Sequence, residues 1–402
     1  VSEPDETRTT PVASLEAVGW WGAGLFAAVV HAGLWATPNL ETFAAAAAAF
    51  PGSGPVTGPG DYVLSTTTVL GVAKVLGWTE PHEYARLSLV AVILGSATLV
   101  WLGWARGRLP LARAVAVVIA ASPLVTVSLQ WLGQPDPVTG GCALAAVLVR
   151  RRWAVVVLGI LSALTHPEQA VLAFAAVAAI RWAWPDGGTR DAGKRRLDVV
   201  APLGGVLAGV AAGRLFALIA GIEVSRSRLD YMDFGLARFL EHHRAEPAAL
   251  AWNLLGPLWL LVGALVVFGI LSGHDAGKVD SDRRRLAVTT AIVAAVALLP
   301  VLFTLDETRV YAVLTAPLLA SLAWFTAALP ENRARWLGAG LLALTAIVPG
   351  GFNTGTAVWR HDLDSSAMAR FVIDGSQPPG SPPIVFWLLE PLDVTIPDLP
   401  GS

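Results

Sequence analysis

The sequence predicts an all-α polytopic membrane protein, and three observations carry that expectation. Hydrophobic residues make up 54% of the 402 and charged residues only 14%, far from the roughly 25% charge of soluble domains. Apolar runs long enough to span a bilayer, at about 20 residues for 30 Å of hydrocarbon, recur from Val18 almost to Gly350. Between them, clusters of Lys and Arg alternate with loops poor in both: Arg106/Arg108/Arg113, Arg150 to Arg152, Arg190 with Lys194 to Arg196, Lys278 with Arg283 to Arg285, and Arg333/Arg335.

Basic residues near span ends are retained on the cytoplasmic side. Placing every cluster inside gives about eleven spans, near 15–36, 84–104, 111–132, 137–149, 153–165, 169–184, 199–222, 250–272, 287–304, 310–329 and 336–350. The organisation is then a cytoplasmic tail (1–14), a polytopic domain (15–352) and an extracytoplasmic tail (353–402), with the amino terminus inside. The polar, acidic start before the first span lacks the basic opening of a secretory signal, so that span is expected to be retained.

The first outer loop, 37–83, is rich in Gly and Pro around Pro51 to Gly60. From Asp61 to Trp78 it turns amphipathic and reads as an interfacial helix, with Asp61 near its start. The alanine run 44–49 is helix-prone. The spans 137–149 and 153–165 are short: about 13 residues is roughly 20 Å of helix. With their inner ends pinned at Arg150 to Arg152, Asp136 and His166 are expected to lie about 10 Å below the outer surface, a depth tolerable only inside protein or a wet cavity.

Three polar interruptions thus fall on one side: Gly133-Gln134-Pro135-Asp136, Thr165-His166-Pro167-Glu168, and Asp306-Glu307-Thr308-Arg309. A second outer loop, 223–249, is basic against the trend and carries Arg226, Arg228, Arg238 and Arg244. Guanidinium groups there suit phosphate oxygens. Arg214, inside the seventh apolar run, calls for an acid or a bound anion, or else snorkels to the interface. The tail after Phe352 is expected to pack across the outer mouth.

Absent motifs narrow the chemistry. There is no phosphate-binding Gly-rich loop with Lys-Ser/Thr, no dinucleotide fingerprint and no zinc-type Cys/His spacing. The single cysteine, Cys142, excludes an intrachain disulfide. No nucleic-acid partner is expected. The chemistry of Asp136, Glu168 and Asp306 admits a divalent cation.

Asp61 in the first outer loop, Gln134-Pro135-Asp136, and Asp306 to Arg309, set in an apolar chain with a long first loop and short helix pairs, resemble membrane glycosyltransferases of the GT-C class. The resemblance covers most of the chain as architecture. It implies an inverting enzyme with a polyprenyl-phosphate sugar as donor and a cell-envelope glycan or glycolipid as acceptor. It also implies an outward cavity open to membrane lipid. Asp61, or alternatively Glu41, is then the base that deprotonates the acceptor hydroxyl. Arg214, Arg228 and Arg238 would meet the leaving phosphate, a role Arg309 could also fill. Gln134, Asp136, His166, Glu168, Asp306, Glu307 and Arg309 would bind substrate. This sequence lacks the adjacent acidic pair that many such enzymes carry in the first loop. The alanine- and tryptophan-rich composition suggests a high-GC bacterial source.

Each residue has a structural alternative: Asp61 as a helix cap, Asp136 as a turn former, Asp306 with Arg309 as a surface ion pair. The competing class is a transporter or flippase using the acids and His166, for which internal repeats with broken helices would be expected.

Overall fold

The computed structural model describes residues 11–34, 36–37, 39–56, 58–184, 192–222, 247–273, 281–304, 306–348, 351–354, 357–360 and 373. Among them the chain is helical apart from one two-stranded hairpin. In order, the helices are α1 (Pro11–Ala32), α2 (Leu40–Ala49), a 3-10 helix (Gly58–Ser65), α3 (Thr67–Leu76), α4 (Pro81–Ala120), α5 (Pro123–Gln130), α6 (Asp136–Leu148), α7 (Arg152–Ala163), α8 (Pro167–Ala183) and α9 (Ala192–Ala220). They continue as α10 (Pro247–Leu255), α11 (Leu258–Gly273), α12 (Ser281–Val296), α13 (Leu298–Val301), α14 (Glu307–Ala327) and α15 (Glu331–Ile347), before β1 (Gly351–Thr354) and β2 (Ala357–Arg360).

Helix α4 is two helices. Gly107 and Arg108 leave helical geometry, Arg108 at φ 59°, and a Cβ on Gly103 would stand 3.3 Å from the Cα of Ala112. Nine residues of continuous helix would separate those positions by about 13 Å. The chain therefore folds back here, and Pro110, early in the returning arm, has no amide to leave unpaired. This matches the expected separation of 84–104 from 111–132. The second of these spans is itself interrupted before Pro123, as 250–272 is at Gly256-Pro257, because proline cannot donate into the preceding turn.

Five helical stretches are long and apolar enough to cross a membrane: Ala13–Ala32, Pro81–Ala120, Arg196–Ala220, Ser281–Val301 and Glu307–Ala327. They point to a multi-pass membrane protein. The remaining expected spans appear as shorter helices, and two of them are too short to cross alone: α6 has 13 residues and α7 has 12. Glu307–Ala327 is the central helix, its apolar window 72% buried, against 17% for the peripheral Arg196–Ala220. Leu207, Leu215, Leu218 and Ile219 lie exposed on that outer helix, an arrangement costly in water and natural in hydrocarbon. Helix α9 is nevertheless seated closely on α7. A Cβ on Gly205 would fall 2.5 Å from the Val156 carbonyl oxygen, and one on Gly209 would fall 2.7 Å from that of Ile160. Small residues permit this approach, as is usual between membrane helices.

The bundle has two chemically different ends. At one, Arg113 reaches Glu331 (3.0 Å) and Glu16 (3.5 Å), while Arg335 bonds the same two carboxylates. Arg181 and Arg152 share Asp198. The last carbonyls of α6 are taken by Arg181, which donates to Ala146 and Val149, and by Arg106, which donates to Val147 and Leu148. Cations at a helix C-terminus also oppose its dipole. Arg106 and Arg113 lie over the rings of Trp184 and Trp20. Helices α6, α8 and α14 run from the opposite end toward this one, and α7, α9 and α15 run away from it.

Candidate functional site

The opposite end is built from the helix starts and the loops that feed them. Asp136 opens α6 with Pro137 beside it, and Pro167 occupies the first turn of α8. Proline is preorganised for that position. Both helices therefore begin sharply, and the residues just before them, Gln134 and His166, are held in turns. Asp136 and His166 are 4% and 3% exposed, enclosed by protein as their expected depth demands.

Arg309 organises the largest cluster. Its Nε lies 2.6 Å from Asp136 Oδ2 and its Nη1 donates to Asp306 Oδ2 at 3.0 Å. The guanidinium sits over the ring of Trp131, 4.9 Å from its centre. The ion pair expected as the structural alternative for Asp306 and Arg309 does form, but its arginine is not at the surface. Arg309 is buried, because α14 packs against α6 and brings it to Asp136. Glu307, two residues before Arg309 in α14, is fully buried. A cation bound by Asp136 and Asp306 would compete with Arg309, which already stands between them. Among the described residues no three of His, Cys, Asp and Glu gather as a metal site.

The segment expected as the first outer loop is a folded cap. The alanine run proves to be a core element: Phe43, Ala44, Ala46 and Ala47 of α2 are buried with Val63, Leu64, Leu70 and Tyr84 in a hydrophobic cluster of their own. Alanine suits that place because it lets α2 lie close against its neighbours. Phe50 stacks on Phe216 of α9, tying the cap to the bundle. The helix expected from Asp61 onward is α3, which begins at Thr67, so Asp61 falls in the 3-10 helix before it and not near its start.

Two clamps hold the cap across the hairpin tips. Thr37 donates its amide to the Leu132 carbonyl at 2.9 Å. Gln134 Nε2 donates to Thr37 Oγ1 (2.8 Å) and Asn39 Oδ1 (3.0 Å), and Asn39 Nδ2 donates to the Tyr62 hydroxyl (2.6 Å). Tyr62 in turn lies within electrostatic range of Arg309. On the other side, the Thr68 amide and Thr67 hydroxyl both donate to the Leu164 carbonyl, at 3.1 and 3.0 Å, in the turn before His166. His166 Nδ1 is 3.4 Å from Glu168 Oε2. This second tip joins the first through Ser162, whose hydroxyl donates to the Thr139 carbonyl of α6 at 3.4 Å. Strand β1 packs on α10 and α14, so part of the carboxyl-terminal tail folds as a hairpin against the bundle.

Of the residues expected from sequence, Gln134, Asp136, Asp306 and Arg309 come together with Glu307 beside them, and His166 and Glu168 form the neighbouring pair. Glu41 is exposed on the first turn of α2, two residues beyond Asn39. Arg214 is exposed on α9 and makes no ion pair among the described residues, six residues or about 9 Å before the helix end. Arg228, Arg238 and the Asp61 side chain lie outside the described residues. The sequence reading missed Thr37, Asn39 and Trp131, and gave Tyr62 no role. Their only local signal was a polar or aromatic side chain at the edge of an apolar run. No known protein family, curated protein or solved structure matches this chain.

Proposed function

We propose that this chain is a membrane glycosyltransferase that moves a sugar from a polyprenyl-phosphate donor to a cell-envelope glycan or lipid acceptor. Its site lies at the capped end of the bundle, which faces outward with the arginine-rich end in the cytoplasm. One observation carries the reading: the cap element holding Asp61 is fastened, through Tyr62 and Asn39, to the network that contains Gln134 and leads to Asp136 and Arg309. The first-loop element that carries Asp61 and the buried cluster are thereby parts of one unit.

In the proposed reaction the acceptor hydroxyl gives its proton to Asp61, or to Glu41, and its oxygen attacks the anomeric carbon. The bond from that carbon to the phosphate oxygen breaks, and polyprenyl phosphate leaves with the electron pair. A single displacement inverts the anomeric centre. Arg309 is paired with two carboxylates, Asp136 and Asp306, so the cluster is one negative charge in excess. Such an excess repels phosphate, so the leaving group is better served by Arg214, Arg228 or Arg238. Carboxylates and amides suit sugar hydroxyls, and those are assigned to the tip cluster.

The test uses purified protein in lipid nanodiscs with polyprenyl-phosphate hexose or pentose and glycan acceptors. Asp61→Asn should fold and lose transfer. Full turnover in that variant, with loss in Glu41→Gln, would move the base to Glu41. Wild-type protein that transfers no sugar but carries the lipid-linked substrate across vesicles would replace the transferase with a flippase. Orientation is read separately in a Cys142→Ala background: a cysteine placed at exposed Glu80 should be labelled from outside intact cells, and one at exposed Asn332 should not.

A further inference from the structure

The turn from Gln130 to Asp136 carries four polar or aromatic side chains whose engagement can be compared. Trp131 bears the Arg309 guanidinium, Gln134 is held by Thr37 and Asn39, and Asp136 is paired with Arg309. Gln130 differs. It closes α5, is 1% exposed, and neither Nε2 nor Oε1 of its carboxamide has a hydrogen-bond partner. On the adjoining tip Gln169, in the first turn of α8 directly after Glu168, is 7% exposed with its Oε1 likewise unpartnered. Buried polar groups are nearly always satisfied. Two exceptions of the same chemical type, each next in sequence to a member of the tip cluster, mark capacity kept for something else.

The chemistry of a carboxamide says what that is. Gln130 offers two N–H donors and an acceptor oxygen side by side. A phosphate only accepts and would leave Oε1 unmet, and an ammonium only donates and would leave Nε2 unmet. A hydroxyl does both, and a pair of neighbouring hydroxyls meets both edges of the amide together. Arg309 at this turn is outnumbered by its two carboxylates, Asp136 and Asp306, which disfavours phosphate further and tolerates neutral polyols.

We infer that Gln130, seconded by Gln169, is a specificity-determining residue that binds the hydroxyl groups of the transferred sugar. This rests on the glycosyltransferase reading for the identity of the ligand. The assignment of a neutral hydroxylated group rests on the amides alone.

Wild type, Gln130→Met and Gln169→Met are compared in nanodiscs by thermal unfolding without ligand. Binding is then measured for three probes: polyprenyl-phosphate hexose, polyprenyl phosphate without sugar, and a free methyl hexoside. Methionine keeps the volume of Gln130 and removes its polar edges. Ligand-free Gln130→Met should unfold at the wild-type temperature or above it. Its affinity for the sugar-bearing lipid should fall about tenfold or more, as when a site built to bond a hydroxyl loses that bond, with affinity for the sugar-free lipid unchanged. Equal losses for both lipids, or a lowered unfolding temperature with sugar preference intact, would make Gln130 a structural residue and overturn the inference. Wild type that binds the methyl hexoside through Gln130 but neither lipid would retain the hydroxyl subsite and remove the transferase reading. Failure to bind any sugar-bearing probe would remove the subsite.

Discussion

Arg181 and Arg309 are both buried arginines beside a buried aspartate, at opposite ends of the same bundle, yet their surroundings are opposite in character. Arg181 donates to two α6 carbonyls and shares Asp198 with Arg152. At that end guanidinium groups outnumber acids, and the surplus caps backbone. Arg309 meets two carboxylates with further acids close by, and two carboxamides at that end have unmet hydrogen-bonding capacity. At the first end the surplus donors find backbone carbonyls, and at the second, polar atoms of two buried carboxamides find no partner. Burial of charge alone therefore does not mark a site; unmet hydrogen-bonding capacity beside it does.

The sharpest way to break this comparison is to remove each arginine. Arg309→Met should abolish activity and also destabilise the protein by about 3–5 kcal/mol, since Asp136 is left buried and charged. Adding Asp136→Asn should restore much of the stability and none of the turnover. Recovery of activity in the double variant, followed by transfer assay and thermal unfolding, would reduce the tip cluster to scaffolding. Arg181→Met should lose a smaller amount, about 1–3 kcal/mol, since Arg152 still pairs Asp198 and the unmet groups are the Ala146 and Val149 carbonyls, while folded protein below its melting range keeps wild-type kcat. A kcat defect there would erase the functional distinction between the ends.

Smaller effects refine it. Asn39→Ala cuts the hydrogen bond to Tyr62 and leaves Gln134 bonded to Thr37 alone, which should cost about 1–3 kcal/mol. It should slow transfer more than it raises KM, because the cap is mispositioned relative to Arg309. The smallest effect belongs to the closed end. Glu331 has its carboxyl held below the ordinary range chiefly by the hydrogen bond from Arg113, with Arg335 assisting. A depressed carboxylate stabilises the fold above its unfolded pKa, and that contribution fades as pH falls through the folded value. Glu331→Gln should thus flatten the acid limb of stability slightly, by no more than the roughly 0.2–1 kcal/mol of an exposed pair. Urea unfolding between neutral pH and pH 3 measures it.

Much of this was legible before any coordinates. Pro137 and Pro167 announced where α6 and α8 begin, and Arg150 to Arg152 fixed where α6 must end, so the shortness of two helices and the enclosure of Asp136 and His166 could be worked out by counting. The alanine run was legible as helix but not as core, because propensity describes the backbone and says nothing of what lies above it. The partnership of Asn39 with Gln134 was invisible, the two being 95 residues apart in the chain and in unremarkable loops.

What the sequence determined by itself is whatever follows from composition and local spacing: an apolar helical chain, the places where its helices start and stop, and the gathering of basic residues at alternate ends. Those properties need only hydropathy, proline geometry and the rise of a helix. Which polar residues meet was decided by tertiary structure alone. Asp136 finds Arg309 across 173 positions because α6 and α14 pack side by side. Asn39 finds Tyr62 and Gln134 because the cap lies over both tips. Such pairings depend on the relative placement of whole helices, a quantity that no window along the chain contains.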